Sequence, residues 1–213
     1  MDYLKKTIFA YNSNPQKYID QTMNVVPYDW IDKIENLLPP KAKVLDAGCA
    51  YGRDANELSG RGFDVIGVDF SEELIKKGKE TFPNLTFKHM DIRKLDFPKD
   101  SFDGIWCNAV LLHLTDTDIE KTLKEFHRVL KKDGVMFTSF QEGEGTEERI
   151  STFGLDNPRF FNLKTKDSIE EMIQGTGFTL IQSERTNDLR PDETEKKWIN
   201  TISRKSEGGD FEK

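Results

Sequence analysis

The chain has little with which to build a disulfide framework, a metal cluster or a membrane anchor. Only two cysteines occur among 213 residues. Cys49 and Cys107 lie in separate apolar strand-end contexts, so both read as reduced thiols and as small core hydrophobes rather than nucleophiles. The three histidines, His89, His113 and His127, show no metal-ligand spacing with the cysteines, so no metal is expected. No run of about 18 apolar residues occurs, which argues against a membrane span. The N-terminal stretch MDYLKKTIFAYNSNPQKY has no apolar signal core, so a cytoplasmic location is expected. Basic residues are not in excess: 31 Lys and Arg stand against 38 Asp and Glu, a formal net charge of −7. That balance disfavours a broad nucleic-acid surface, which needs clustered Lys and Arg. Internal repeats and low-complexity blocks are also absent.

What is present is an alternation. Residues 1–38 read as helical, broken at Pro15 and Pro27, and YDWIDKIENLL puts Trp30, Ile31, Ile34, Leu37 and Leu38 on one stripe. From residue 40 the rhythm becomes strand and helix in turn. KVLDAG, FDVIGVDF, LTFKHMD, FDGIWCNAV and VMFTSF are apolar strands, with Phe102 and Trp106 as core residues of the fourth. GRDANELSGRG, SEELIKKGKETF and TDIEKTLKEFHRVLKKDG are the helices between them. Ser71 is placed to cap the second of these. The third has Ile119, Leu123, Phe126 and Leu130 inward and Gly134 after its end. Lys131 and Lys132 read as a solvated pair at that helix end.

This pattern predicts an α/β fold with a mostly parallel, Rossmann-like sheet. QEGEGTEERISTFGLDNPRFFNLKT reads as an irregular polar connection. KDSIEEMIQGTGF is a further helix, TLIQSERTN and KKWINTISRK are a terminal strand pair, and SEGGDFEK is a frayed tail. One domain is expected, divided into a helical cover (1–38), a core (40–140), a substrate-side connection (141–165) and a C-terminal helix with strand pair (166–205).

The chemistry concentrates at the strand ends, where open α/β sheets bind ligands. VLDAGCAYGRDA resembles a phosphate-binding turn, but Gly48, Cys49, Ala50 and Gly52 lack the middle glycine of G-x-G-x-x-G, and Asp46 precedes the loop. A carboxylate beside a diphosphate would be repulsive by several kcal/mol. A ligand with a cationic tail fits better. Asp69 lies 23 residues beyond Asp46, a spacing that suits a carboxylate on ribose hydroxyls. For both acids the alternative is helix capping.

These ordered motifs, over residues 40–140 and more weakly to 204, resemble the class I S-adenosylmethionine-dependent methyltransferases. VLDAGCAYG is similar to the family's first motif, with Ala50 departing at its middle glycine; VIGVDFSEELI is similar to the second, and HMDIRKLDFPKDSFDGIWCNAVLLHL to the third and fourth. The resemblance implies a seven-stranded sheet of order 3-2-1-4-5-7-6, strand 7 antiparallel, with helices on both faces. It implies S-adenosyl-L-methionine as cofactor, S-adenosyl-L-homocysteine as product, and no metal. The cofactor residues carried over are Asp46, Gly48, Cys49, Ala50, Gly52, Arg53 and Asp69, with Asp91 and Ile92 at the adenine and Asn108 and Ala109 beside the reactive methyl. Tyr11, Tyr18 and Phe70 are candidates for cation–π contact with the sulfonium.

His113, just past the fourth strand, is the catalytic candidate, as a general base or a substrate contact; a structural histidine is its alternative. Acceptor-side candidates are Tyr18, Trp30, Arg149, Arg159 and Phe160, with Phe161 beside them. Aromatic residues with an arginine suit a small, partly apolar acceptor with an anionic group. Methyl transfer to a small molecule is the expected function. An RNA (tRNA) methyltransferase and a non-catalytic cofactor-binding module are the alternatives. Residues 1–30 are expected to be a mobile cover that orders on cofactor binding.

Overall fold

The computed structural model describes residues 2–150, 157–190 and 195–206. Three short helices open the chain: α1 (Tyr3–Ser13), α2 (Pro15–Thr22) and α3 (Tyr28–Glu35). Proline sets both breaks. Pro15 occupies the first turn of α2, where its missing N–H costs nothing, and Pro27 is the N-cap of α3. The core follows as β1 (Lys43–Ala47), α4 (Arg53–Gly60), β2 (Asp64–Asp69), α5 (Glu72–Thr81), β3 (Thr86–His89) and β4 (Phe102–Cys107). A 3₁₀ turn at Leu111–His113 then leads to α6 (Asp116–Val129) and β5 (Leu130–Gln141). The remaining elements are β6 (Gly145–Ile150), β7 (Pro158–Leu163), α7 (Lys166–Gly175), β8 (Phe178–Asn187) and β9 (Lys197–Lys205).

The main sheet runs β3-β2-β1-β4-β5-β9-β8. β1 to β5 pair in parallel, and β9 is antiparallel to both β5 and β8. Counting only these seven strands, the order is the expected 3-2-1-4-5-7-6. The chain numbering differs because β6 and β7 form a separate antiparallel pair.

Neighbouring strand residues enter opposite layers, as a pleat requires. Val44, Trp106 and Phe137 pack with α3 and α4, while Leu45, Ile105 and Met136 pack with α6 and α7. Both faces are therefore buried, which explains why the strands read as apolar throughout. Trp106 stacks on Phe137 with ring centroids 4.0 Å apart, and Phe102 is fully buried. Ser71 caps α5 by accepting from the Leu74 N–H.

Two expectations need correction. The helix read through LKKDG stops at Val129, and Leu130 is already extended at φ −70°, ψ 139°. Leu130 pairs with Phe102 of β4 and Lys131 binds Asp103, so tertiary contacts pull this segment out of the helix. The polar connection after residue 141 contains the β6–β7 hairpin. Its strand signal was hidden because β6 is almost wholly exposed and rich in charge. The frayed tail called at SEGGDFEK lies, from residue 207 on, outside the described residues.

Candidate active site

The loop after β1 makes one wall of the site, and its geometry shows where glycine is required. Gly48 has φ +80°, and a Cβ there would lie 2.3 Å from Val110 Cγ2. Gly52, at φ +90°, caps α4 with Phe87 2.4 Å from where a Cβ would be. Ala50 takes φ 50° without being glycine. The Ala50 N–H donates to Asp69 Oδ2 at 2.8 Å, which anchors this conformation.

Asp69 ends β2 and also accepts the Ser71 N–H on Oδ1 at 2.7 Å. Each oxygen thus receives one backbone donor and keeps capacity for another. Burial raises its pKa, against the lowering effect of these N–H groups. Asp46 lies beneath the loop, buried, with Oδ2 meeting no hydrogen-bond partner among the described residues. Burial and the nearby Asp54 charge push its carboxyl well above the usual carboxylate range.

Two cavities open at the carboxyl edge of the sheet. The smaller, about 110 Å³, is lined by Gly48, Ala50, Asp69, Phe70, Asp91 and Ile92, with Leu4, Thr7, Ile8 and Tyr11 of α1 closing it. The larger, about 580 Å³, is lined by Trp30, Arg53, Arg149, Arg159 and Phe161 among others. Tyr11, Tyr18, Asn108, Ala109 and His113 line both and form the wall between them. Asp46, Cys49, Gly52 and Phe160 line neither. Cys49 packs with Ile75 and Phe87, and the Phe160 ring lies on Tyr3. Burial raises the thiol pKa of Cys49 and Cys107 well above the ordinary value, so neither is an activated nucleophile.

Asp91 lines the smaller cavity but is already engaged. The Arg93 guanidinium reaches both its oxygens and continues to Asp118, which also binds the Tyr3 phenol. Burial would raise the Asp91 carboxyl, yet these bonds hold it below the usual range. Through Tyr3 this chain latches α1 over the pocket. Thr7 Oγ1 accepts the Phe160 N–H, and Ser71 Oγ donates to Asn12 Oδ1, adding two further ties.

On the dividing wall, Arg159 Nη1 donates to the Tyr11 hydroxyl, which lies 3.0 Å from His113 Nε2. His113 Nδ1 lies 2.7 Å from the Phe160 carbonyl oxygen, which can only accept. Nδ1 therefore carries the proton, and Nε2 accepts from Tyr11. Burial, then the Arg159 charge, pushes the His113 pKa down to about 3. The ring is neutral, with both nitrogens occupied.

Beneath the larger cavity runs a network that the sequence reading missed. Asp54 Oδ1 accepts Arg53 Nε at 2.7 Å, and Oδ2 accepts Trp106 Nε1 at 3.0 Å and Asn108 Nδ2 at 2.9 Å. Asn108 Oδ1 accepts from Ser139 Oγ, which itself accepts the Ala109 N–H. Although burial raises the Asp54 carboxyl, Arg53 and these donors hold it below its ordinary value. Asp54 looks like any first-turn acid of a helix, so only its burial marks it. Ser139, Gln141, Trp198 and Asn200 were also missed. They reach the cavity because antiparallel β9 begins at the edge where β5 ends. Among the described residues no group of three His, Cys, Asp or Glu could hold a metal ion, and no helix is long and apolar enough to cross a membrane.

Residues 44–134 match the methyltransferase domain family. YqeM of Bacillus subtilis, a protein assigned to the methyltransferases, is 32% identical over 123 residues, covering 55% of this chain and 50% of its own length. Phosphoethanolamine N-methyltransferase 1 of Triticum aestivum is 27% identical over 146 residues, covering 64% of this chain and 29% of its own. The chain thus spans half or less of the length of these relatives. Among solved structures, a Burkholderia thailandensis 1,6-didemethyltoxoflavin-N1-methyltransferase with bound 1,6-didemethyltoxoflavin and S-adenosylhomocysteine superposes with a TM-score of 0.77 at 22% identity, over 96% of this chain and 89% of that one. The matched segment is thus similar to the methyltransferase domain family, and the fold is the one that solved S-adenosylmethionine-dependent methyltransferases adopt.

Proposed function

We propose that the protein transfers a methyl group from S-adenosylmethionine to a small-molecule acceptor. The single observation that carries this reading is the pair of cavities meeting at Tyr11, Tyr18, Asn108, Ala109 and His113. One cavity offers a nucleoside site and the other a separate chamber, so donor and acceptor would face each other across that wall.

Two features of the smaller cavity, and one beneath the loop beside it, fit the cofactor. Asp69 retains acceptor capacity for ribose hydroxyls. Gly48 leaves room that any side chain would fill. Beneath the loop, the unpartnered Asp46 Oδ2 keeps acceptor capacity that an ammonium group could use. At about 110 Å³ the cavity is below the roughly 300 Å³ typical of the smallest ligand sites. Residues 3–22 would therefore have to shift to admit the ligand.

When bound, the cofactor supplies an electrophilic methyl on a sulfonium. The protein's part is to align the reactants and exclude water, which can supply about 7–11 kcal/mol. The Asp54–Asn108–Ser139 network would hold the floor rigid. His113 would act by fixing the Tyr11 hydroxyl at the methyl-transfer point, since its free lone pair is already used.

The experiment supplies radiolabelled cofactor with a metabolite extract and, separately, with an RNA extract. Label in the small-molecule fraction supports the proposal, and label in RNA overturns the acceptor class. No label in either, with S-adenosylhomocysteine bound, would favour a non-catalytic module.

A further inference from the structure

Arg149 and Arg159 stand directly opposite each other in the register of the β6–β7 hairpin. Such partners have Cβ atoms about 4.5–5.5 Å apart, and like charges so placed destabilise a hairpin. Both side chains line the larger cavity. They also share one ring: Arg149 Cζ lies 4.2 Å and Arg159 Cζ 5.0 Å from the Phe161 centroid. Arg159 is only 4% exposed. Glu147 accepts from Arg149 Nη2, while Arg149 Nε is buried and meets no acceptor among the described residues. Five cationic side chains and two carboxylates line this cavity, in a chain of formal net charge −7. Of the five, Arg53 pairs with Asp54, Arg190 with Asp188 and Arg149 with Glu147 of its own strand.

We infer that the acceptor carries a carboxylate or phosphate group and that Arg149 and Arg159 bind it. The inference rests on the methyltransferase reading of this site and specifies the substrate class. An anion between two guanidinium groups offsets their repulsion, and the planar fork of arginine suits both anions. Arg159 is two hydrogen bonds from His113 through Tyr11, and both arginine charges depress the basicity of that ring. The anion-binding point therefore lies close to the dividing wall. Phe161, Leu112, Val26 and Trp30 provide an apolar surface for the rest of the molecule.

Calorimetric titration of the protein with benzoate, phenyl phosphate and benzamide tests this, with and without S-adenosylhomocysteine. At least one anion should bind about tenfold or more tighter than isosteric, neutral benzamide, as charge-assisted bidentate bonds allow. Arg149→Gln should remove about tenfold of that preference, and Arg149→Lys should restore part of it. Arg159→Gln removes a buried group and risks the fold, so the Arg149 variants carry the test. Anions binding no tighter than benzamide would overturn the inference. So would an undiminished preference in folded Arg149→Gln. Binding of S-adenosylhomocysteine in the same instrument judges the cofactor reading separately: its absence, with the anion preference intact, would refute that reading and leave the anion site standing.

Discussion

Asp46→Asn should make the folded protein more stable at neutral pH while weakening its hold on cofactor. In the wild type a buried carboxylate has one oxygen without a hydrogen-bond partner and lies in the field of Asp54. Leaving such a group unsatisfied costs on the order of 1–3 kcal/mol. Asn keeps the shape, removes the charge and can turn its NH₂ toward the Asp54 carboxylate. The expected gain is therefore about 1–3 kcal/mol at pH 7, at roughly 2–4 °C in Tm per kcal/mol for a chain of this size.

The sign follows from proton binding. The folded-state pKa of Asp46 is raised, so between the unfolded value, about 3.9, and the folded value the native state holds more protons. Its contribution to stability therefore falls as pH rises through that window, by up to about 1.4 kcal/mol per pH unit. Asp54 and Asp91, held low, act in the opposite direction: they stabilise above the unfolded pKa and lose that contribution as the medium turns acid. The quantity to follow is accordingly the difference between mutant and wild type. Denaturant unfolding at several pH values measures it. The gain should shrink toward zero near pH 4, and S-adenosylhomocysteine affinity should drop at pH 7. A mutant less stable than wild type at pH 7, or a gain independent of pH, would refute the reasoning.

Asp69→Ala should lose about 1.5–3 kcal/mol of S-adenosylhomocysteine affinity by calorimetry; unchanged affinity in a folded mutant would leave Asp69 only its backbone bonds to Ala50 and Ser71. Gly48→Ala forces a Cβ to within 2.3 Å of Val110 at φ +80°, and should cost about 1–3 kcal/mol in a denaturant melt, partly recovered by adding Val110→Ala. The His113 ring, with a pKa of about 3, should show no NMR titration between pH 5 and 8. Because the unfolded chain takes a proton below about 6.5, its contribution to stability is lost as pH falls from there toward 3. His113→Gln should lower turnover more than it changes cofactor affinity, since it releases Tyr11 rather than the ribose site. Hydrogen exchange over residues 3–22 should slow on adding S-adenosylhomocysteine; exchange indifferent to the ligand would count against a cover that opens.

The sheet and the loop after β1 were legible in the sequence because both rest on local rules. Apolar runs of strand length, Ser71 before a helix, prolines at helix starts and acids at strand ends act over a few residues, and they placed Gly48, Ala50, Asp69, Asp91, Asn108 and Ala109 on one edge. What tertiary structure alone decided depends on which groups share a low-dielectric space. Asp46 and Asp54 carry the same side chain, yet burial and the neighbouring Asp54 charge raise one carboxyl, while Arg53, Asn108 and Trp106 hold the other low against its own burial. His113 was visible as a strand-end histidine, but its neutral, fully bonded state is set by Tyr11, Arg159 and Phe160, each far away in the chain. The direct opposition of Arg149 and Arg159 exists only once the hairpin fixes its register. Sequence order cannot reveal that register where one strand is solvated along its length, because no buried face then selects it.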